Sequence, residues 1–127
     1  MSKLIPTNHF KKQYKKVKNN SRWNNIFNGK VPFENDNRSP WEYVIDCLIE
    51  GKKLPTYFYE HPITLTNRQK QEIKNRFDDL SNIQIQGIDI HFDGHNGDHL
   101  LIFIRTNKKI IYLIGIGTHS DLFKYLL

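Results

Sequence analysis

The feature that most constrains the fold is a pair of apolar runs joined by a short turn. Residues 100–105 and 110–116 are almost continuously apolar, and only residues 106–109 separate them. A connection this short predicts that the two runs are antiparallel neighbouring strands. Their lack of alternation indicates burial on both faces, so helices are expected to cover the sheet. A third strand is predicted over residues 83–92, with Gly87 as a possible bulge.

Two shorter segments with extended character both contain proline. Residues 3–6 can form a strand that Pro6 ends or confines to a sheet edge. Residues 57–63 are rich in aromatic side chains, and Pro62 disfavours helix at His61. Both segments are therefore expected to be extended.

Three helices are predicted from a capping residue followed by helical apolar spacing: residues 9–18 after Thr7, residues 40–50 after Ser39, and residues 68–80 after Thr66. The first is rich in lysine, which indicates either a solvated helix face or a surface that follows phosphates. Residues 19–39 are rich in asparagine and are predicted to be a loop with one short turn near Trp23. A last helical turn is predicted to begin at Thr118 or Ser120.

The composition indicates a single intracellular domain with an anionic partner. A chain of 127 residues is long enough for one core and too short for two. Its net charge of +6 favours a nucleic acid or an acidic protein as partner. The single cysteine, Cys47, excludes an internal disulfide, and there is neither a membrane-spanning apolar run nor a signal-peptide core. We therefore expect a cytoplasmic protein without a membrane partner.

Short motifs in the second half of the chain follow one another in a specific order. They are Leu54-Pro55-x-Tyr57 with His61-Pro62-Ile63, then Asp89-x-His91, then Asp98-His99-Leu100-Leu101-Ile102-Phe103, and finally Gly117-Thr118-His119-Ser120-Asp121-Leu122-Phe123. This succession resembles the YafQ-like branch of the RelE/ParE superfamily, whose members are the toxin halves of bacterial type II toxin–antitoxin pairs. Each motif alone is weak, but four in the same order are strong.

The resemblance implies a fold, an activity and a partner. The fold would be α+β, with a small, mostly antiparallel sheet and two or three helices packed on one face. Residues 1–127 would form a single RelE/ParE-like toxin domain with insertions at about residues 20–40 and 64–84. The protein would cleave messenger RNA on the ribosome as a metal-independent endoribonuclease that needs no cofactor. A cognate antitoxin would bind it and block the site.

The resemblance also implies the active-site residues. The catalytic positions match His61, His91, Asp98 and His119, and Phe123 matches an aromatic residue that lines the site. Histidine titrates near neutrality, so a pair can serve as acid and base while the RNA 2′-hydroxyl attacks the adjacent phosphorus. We expect His119 or His61 to be the general acid. His91, helped by Asp98, is expected to be the base or its orienting partner.

Substrate binding is expected to use cations and aromatic rings. Arg105, Lys108 and Lys109 are the candidates for stabilising the phosphorane. Phe123 and Tyr57 are the candidates for stacking on an unpaired base.

Two other functions remain open. The residues around the predicted turn at 93–97 include potential metal ligands, although no metal is part of the main prediction: Asp89, His91, Asp93, His95, Asp98 and His99. A non-catalytic or gyrase-directed binding module is the other alternative, because ParE-type members keep the scaffold without this histidine set. Convergence of the four catalytic candidates on one concave face would favour the nuclease.

Overall fold

The computed structural model describes residues 1–75 and 83–123, with the side chains of Glu72 and Phe123 outside the described part. Within these residues the strands are β1 (Lys3–Pro6), β2 (His61–Ile63), β3 (Ile85–His91), β4 (Leu100–Thr106) and β5 (Ile110–Gly117). They form one sheet in the order β1-β5-β4-β3-β2. β1 is parallel to β5, and the other neighbours are antiparallel. The apolar pair β4 and β5 is thus central, as predicted.

The helices of the described residues are α1 (Asn8–Lys18), α2 (Asn24–Asn28), α3 (Pro40–Glu50), α4 (Asn67–Lys74) and α5 (His119–Phe123). The predicted caps are confirmed, because the hydroxyls of Thr7, Ser39 and Thr66 each accept a backbone N–H from the first helical turn. Gly51 ends α3 with a φ of 71°. The helix predicted over residues 68–80 corresponds to α4, which ends at Lys74 in the described part. Residues 76–80 of the predicted span lie outside that part.

Helices cover both faces of the sheet. Phe10, Val44 and Phe103 belong to a large core in which α1, α2 and α3 pack against one face. On the other face, Leu65 and Ile73 of the β2–α4 region pack against Ile104 and Tyr112. The α+β class and its mainly antiparallel sheet are confirmed, and α4 adds a helix on the second face. No helix among the described residues is long and apolar enough to cross a bilayer.

Three local predictions need correction. Gly87 is not in a bulge, since β3 pairs without a register shift with both neighbours. It makes room for Leu65, whose Cδ2 would lie 2.6 Å from a Cβ at position 87. The segment before β2 is not extended, because residues 56–58 form a 3-10 turn that ends at Tyr59 in the left-handed region. The Asn-rich segment contains a 3-10 turn and α2, which bury Trp23 in the core.

Candidate active site

Two neighbouring strands bring two histidines and an aspartate together on the second face of the sheet. His61 of β2 is directly opposite Asp89 of β3, and Asp89 and His91 share a face because they are two residues apart on one strand. The Asp89 Oδ2 atom is 3.2 Å from His61 Nε2 and 4.0 Å from His91 Nε2. Asp89 is therefore the buried centre of this cluster, a role that the sequence analysis missed.

The third histidine reaches the cluster from the end of β5. Gly115 and Gly117 leave space for α5 to fold back over the strand, since Leu122 Cδ2 would lie 3.3 Å and 3.4 Å from a Cβ at these positions. Thr118 caps α5 by accepting the Asp121 N–H at 3.2 Å. The His119 ring is 5.2 Å from the His91 ring and almost perpendicular to it, and the His61 and His91 rings are 5.8 Å apart.

Asp98 holds His119 in place. Its Oδ1 atom accepts the His119 backbone N–H at 2.7 Å and faces the ring Nδ1 at 2.6 Å. Partial burial acts to raise the pKa of Asp98, but the hydrogen bonds from the backbone and ring of His119 outweigh it and lower that pKa. The four predicted catalytic residues thus converge. The predicted help from Asp98 to His91 needs correction, because Asp98 bonds to His119 and the carboxylate beside His91 is Asp89.

Backbone carbonyls fix the tautomers of the two histidines beside Asp89. His61 Nδ1 is 2.9 Å from the Tyr59 carbonyl oxygen. His91 Nδ1 lies 3.2 Å from the Gly94 carbonyl oxygen and 3.1 Å from that of His95. Carbonyl oxygens only accept hydrogen bonds, so both Nδ1 atoms must donate. In the neutral rings the Nε2 atoms nearest Asp89 therefore carry lone pairs.

This arrangement requires a proton near Asp89. An imidazole lone pair and an ionised carboxylate are both acceptors, so the 3.2 Å contact between His61 Nε2 and Asp89 Oδ2 needs a shared proton. Burial raises the pKa of Asp89, and the neighbouring His61, His91 and His119 offset only part of that effect. The pair therefore stores a proton beside the exposed edge of His61.

The same cluster has the ligands for a metal ion. Ligand atoms of His61, Asp89 and His91 all lie within 4.8 Å of one another. Asp89 Oδ1 and His91 Nε2 are buried without a hydrogen-bond partner among the described residues. Two imidazoles and one carboxylate form a known ligand set for Zn²⁺, so the donor set fits a metal.

The remaining potential ligands of the predicted hairpin cluster are used otherwise. His99 Nδ1 is 2.6 Å from Asp93 Oδ2, and His99 Nε2 is 3.1 Å from the Arg22 carbonyl oxygen. The His99 ring also meets Trp23 edge to face, with centroids 4.6 Å apart. A Cβ at Gly97 would collide with the Asp93 carboxylate. Through Asp93 and the Arg22 carbonyl, His99 therefore connects the turn at residues 93–97 to the Asn-rich segment of residues 19–39.

The three predicted phosphate-binding cations lie away from the histidines. Asp89 pairs with Ile102, so the next residue, Phe103, and Arg105 two residues later both lie on the opposite face of the sheet. The Arg105 guanidinium is 5.6 Å from the Phe103 ring. It also forms an ion pair with Glu60 at 3.3 Å. Lys108 and Lys109 lie in the turn after β4, whereas His91 pairs with the first residue of that strand. This placement argues against a contact with the reacting phosphate.

Other cations line a groove formed by neighbours of the cluster, since Ile63 and Asp121 of its wall follow His61 and His119 by two residues. The groove has a volume of about 560 Å³, and its floor includes Ile102, the strand partner of Asp89. Lys12 and Lys16 of α1 lie on its wall. The lysine-rich helix therefore adds positive charge to a groove that adjoins the strands of the cluster, and the phosphate-tracking surface stays a prediction.

The aromatic residue among the histidines is Tyr59. The predicted stacking residue Tyr57 is half-buried and packs against Phe33 and Phe58, with centroids 5.7 Å and 5.2 Å away. The ring of Tyr59, by contrast, is within 5.2 Å of the His61 and His91 rings. The side chain of Phe123, the other predicted stacking residue, lies outside the described part.

Comparisons with known proteins agree with this architecture. The sequence model of one family, described as bacterial toxin of type II toxin-antitoxin system, YafQ, matches residues 2–124. A copper-bound leucine-to-serine mutant toxin from Helicobacter pylori is similar, with a TM-score of 0.60, 20% identity, and coverage of 97% of this chain and 100% of that chain. The DinJ-YafQ complex from Escherichia coli gives a TM-score of 0.59 and 18% identity over 97% of this chain and 99% of that chain. A search of the curated proteins found no significant match.

Proposed function

This chain belongs to the YafQ family of bacterial type II toxin–antitoxin toxins, and from its site we propose that it is a metal-independent endoribonuclease that cleaves messenger RNA on the ribosome. The observation that carries the proposal is the convergence of His61, His91 and His119, with neighbouring ring centroids 5.8 Å and 5.2 Å apart, beside a lysine-lined groove. Imidazoles supply both an acid and a base near neutral pH, which is what RNA cleavage without a metal requires.

The reaction needs two proton transfers. A base removes the proton from a ribose 2′-hydroxyl, and the 2′-oxygen attacks the adjacent phosphorus. The bond from phosphorus to the 5′-oxygen then breaks, and an acid protonates that leaving oxygen. The products are a 2′,3′-cyclic phosphate and a 5′-hydroxyl end.

The environments of the histidines suggest their roles. His61 Nε2 shares a proton with buried Asp89, and we assign this proton to the leaving 5′-oxygen, which makes His61 the general acid. His119 Nδ1 faces Asp98, so Nε2 is the ring nitrogen that would accept the proton of the 2′-hydroxyl. We therefore assign His119 as the general base. Both side chains are exposed enough to touch RNA, at 34% and 50%, whereas His91 is only 5% exposed. We therefore assign His91 a positioning role instead of the expected role of base.

The groove supplies the contacts for the substrate backbone. Lys12 and Lys16 project from one helix face beside the cluster, where ammonium groups can bind phosphates. Replacing both lysines with alanine should raise KM for ribosome-bound messenger RNA with little change in kcat. The matched control is the double alanine variant of Lys108 and Lys109, the cations at the distant turn. An equal rise in KM for both double variants would contradict the assignment of the groove.

The cleavage assay tests the activity itself. Wild-type protein, ribosomes and messenger RNA are incubated with EDTA and with enough added Mg²⁺ to keep the ribosomes intact, so that EDTA removes transition metals. We expect cleavage to persist under these conditions and to disappear in His61→Ala. Wild-type protein that neither cuts the message nor slows growth on induction would favour a non-catalytic binding module.

A partner follows from the family and from the charge. One solved relative is the YafQ toxin in complex with DinJ. We propose that a cognate antitoxin with an acidic segment covers the groove of this chain, because the net charge is +6 and Lys12 and Lys16 line the site. Co-expression with the protein encoded by the neighbouring gene should give a stable complex without cleavage activity.

Metal binding is a second candidate function, favoured by the two unpartnered buried atoms of Asp89 and His91. A Zn²⁺ titration by calorimetry, with His91→Ala as the control, measures whether the cluster binds metal. Cleavage that stops on removal of Zn²⁺ and returns on its addition would favour a metal-dependent enzyme.

A further inference from the structure

The Tyr59 ring lies against the histidine cluster and is open to solvent. Its centroid is 4.8 Å from that of His61, 5.2 Å from that of His91 and 4.1 Å from that of His95. Yet 41% of the residue remains exposed, and the only other large apolar residue with such exposure in the described part is Met1. An aromatic side chain that its neighbours hold in place while much of the residue stays exposed has a surface for a planar ligand.

The backbone at Tyr59 is in an unfavourable conformation that directs this ring. Its φ of 51° and ψ of 49° are in the left-handed region, which is a rare conformation for a bulky residue. The residue is held there by its N–H, which donates to the Thr56 carbonyl at 3.0 Å, and by its carbonyl, which accepts from His61 Nδ1 at 2.9 Å. Strained residues of this kind are concentrated at functional sites.

We propose that Tyr59 is a specificity-determining residue, whose exposed ring stacks on an unpaired base of single-stranded RNA and so determines which phosphodiester bond meets His61 and His119. This inference rests on the ribonuclease function proposed above. Base and phosphate of one nucleotide are joined through a single ribose, so a ring that contacts His61, the proposed general acid, is within reach of a base beside the cut. Stacking accepts any base but favours those with larger rings.

The charge of the groove that adjoins the cluster agrees with this ligand. Lys12 and Lys16 of the groove attract the phosphates, while the ring offers an uncharged surface for the base. Tyr57, two residues earlier, cannot do the same because Phe33 and Phe58 pack around it. The alternative role for Tyr59 is structural, as a cover that keeps water away from buried His91 and holds its ring in place.

Substitutions separate the two roles. Tyr59→Leu keeps an apolar cover over His91 but removes the aromatic face, and Tyr59→Trp enlarges that face. If the ring only covers His91, leucine should preserve KM, and any defect should fall on kcat. If the ring stacks on a base, Tyr59→Leu should raise KM by about 10-fold with kcat changed little, and Tyr59→Trp should retain a low KM.

The experiment uses messenger RNAs programmed into ribosomes, each with one abasic nucleotide at a position near the cut made by the wild-type protein. We expect one abasic position to raise KM for wild type by about 10-fold and to have little further effect in Tyr59→Leu. A parallel series carries 2-aminopurine at that position and a 2′-O-methyl group at the cut. Its fluorescence should be quenched by wild type and Tyr59→Trp but not by Tyr59→Leu.

The outcomes distinguish failure of this inference from failure of the proposed function. Cleavage by wild type with an equal abasic penalty in wild type and Tyr59→Leu overturns the stacking role and leaves the nuclease intact. A loss of kcat at unchanged KM in Tyr59→Leu also overturns it, in favour of the structural cover. Wild-type protein that neither cleaves the message nor quenches the blocked probe overturns both proposals.

Discussion

Two histidine–aspartate pairs of the same length occur in this chain. In each, an imidazole Nδ1 lies 2.6 Å from a carboxylate oxygen: His99 from Asp93, and His119 from Asp98. The surroundings differ. His99 directs its second nitrogen at the Arg22 carbonyl and packs edge-on against Trp23, whereas His119 is half exposed and 5.2 Å from the His91 ring.

The difference teaches that a short carboxylate contact does not by itself make a histidine catalytic. For His99 the two acceptors, Asp93 and the Arg22 carbonyl, belong to segments far apart in the sequence, so the ring joins those segments of the fold. For His119 the carboxylate orients a ring that lies beside two other imidazoles and a groove. The first three of the four predictions below test this contrast between a structural pair and a catalytic pair, and the fourth tests the buried carboxylate of Asp89 beside the catalytic histidines.

The largest expected effect is on cleavage. His119→Ala should reduce the rate by about 10²- to 10⁴-fold, because it removes a group that transfers a proton. His99→Ala is the matched control and should keep the rate within about tenfold, since the variant loses a structural contact only. Initial rates on ribosome-bound messenger RNA measure both. Equal losses in the two variants would remove the distinction between the pairs.

The carboxylates should show the same contrast. Asp98→Asn should lower the cleavage rate by about 10²-fold, because the amide no longer holds His119 in the correct orientation and tautomer. Asp93→Asn should have a much smaller effect on the rate. Single-turnover rates at saturating protein separate this effect from binding. A larger loss in Asp93→Asn than in Asp98→Asn would reverse the assignment.

The effects on folding stability should have the opposite order to the effects on cleavage, with the larger loss at His99 and the smaller at His119. His99→Ala should lower the free energy of unfolding by about 1–2 kcal/mol, because it leaves the Arg22 carbonyl and the Asp93 carboxylate without this partner. His119→Ala should change it by less than about 0.5 kcal/mol, as expected for a half-exposed side chain. Urea denaturation followed by circular dichroism measures both values. A more damaging His119→Ala would indicate that α5 depends on this ring.

The smallest effect is expected at the buried carboxylate. Burial raises the pKa of Asp89 in the folded protein, so the folded state holds its proton to higher pH than the unfolded state. The stability of wild type therefore falls as pH rises from the unfolded value of about 4 through the folded pKa. Asp89→Asn cannot ionise and should be more stable near pH 7 by about 1 kcal/mol. Melting curves at several pH values should show this advantage shrink on acidification.

Sequence patterns predicted the elements whose signals are local. The caps at Thr7 and Ser39 and the stop at Gly51 depend on hydrogen bonds within one or two helical turns, so a short window contains all the information. The order of the short motifs also selected His61, His91, Asp98 and His119, which the structure brings together. Their catalytic roles remain predictions until the variants are measured.

Sequence patterns failed where the answer depends on which strand face meets which neighbour. Arg105 was a candidate for stabilising the phosphorane, but its position in β4 puts it on the opposite face from Asp89. Asp89 was considered only as a potential metal ligand, and its place beside His91 was given to Asp98, although its spacing from His91 puts both on one face of a strand. Tyr59 was missed because its left-handed backbone depends on the turn at residues 56–58 and on the bond to His61. The strand pairings that decide the cases of Arg105 and Asp89 join segments far apart in the sequence, with Asp89 opposite His61 on one side and Ile102 on the other.

The chemical nature of the cut ends tests the central claim most directly. Messenger RNA is cleaved by wild-type protein on ribosomes after metals other than Mg²⁺ have been removed, and the same message is made with a 2′-deoxynucleotide at the cut. We predict a 2′,3′-cyclic phosphate and a 5′-hydroxyl on the products, with no cleavage at the deoxynucleotide. Products with a 3′-hydroxyl and a 5′-phosphate, or cleavage that tolerates the deoxynucleotide, would contradict acid–base catalysis by the histidine cluster.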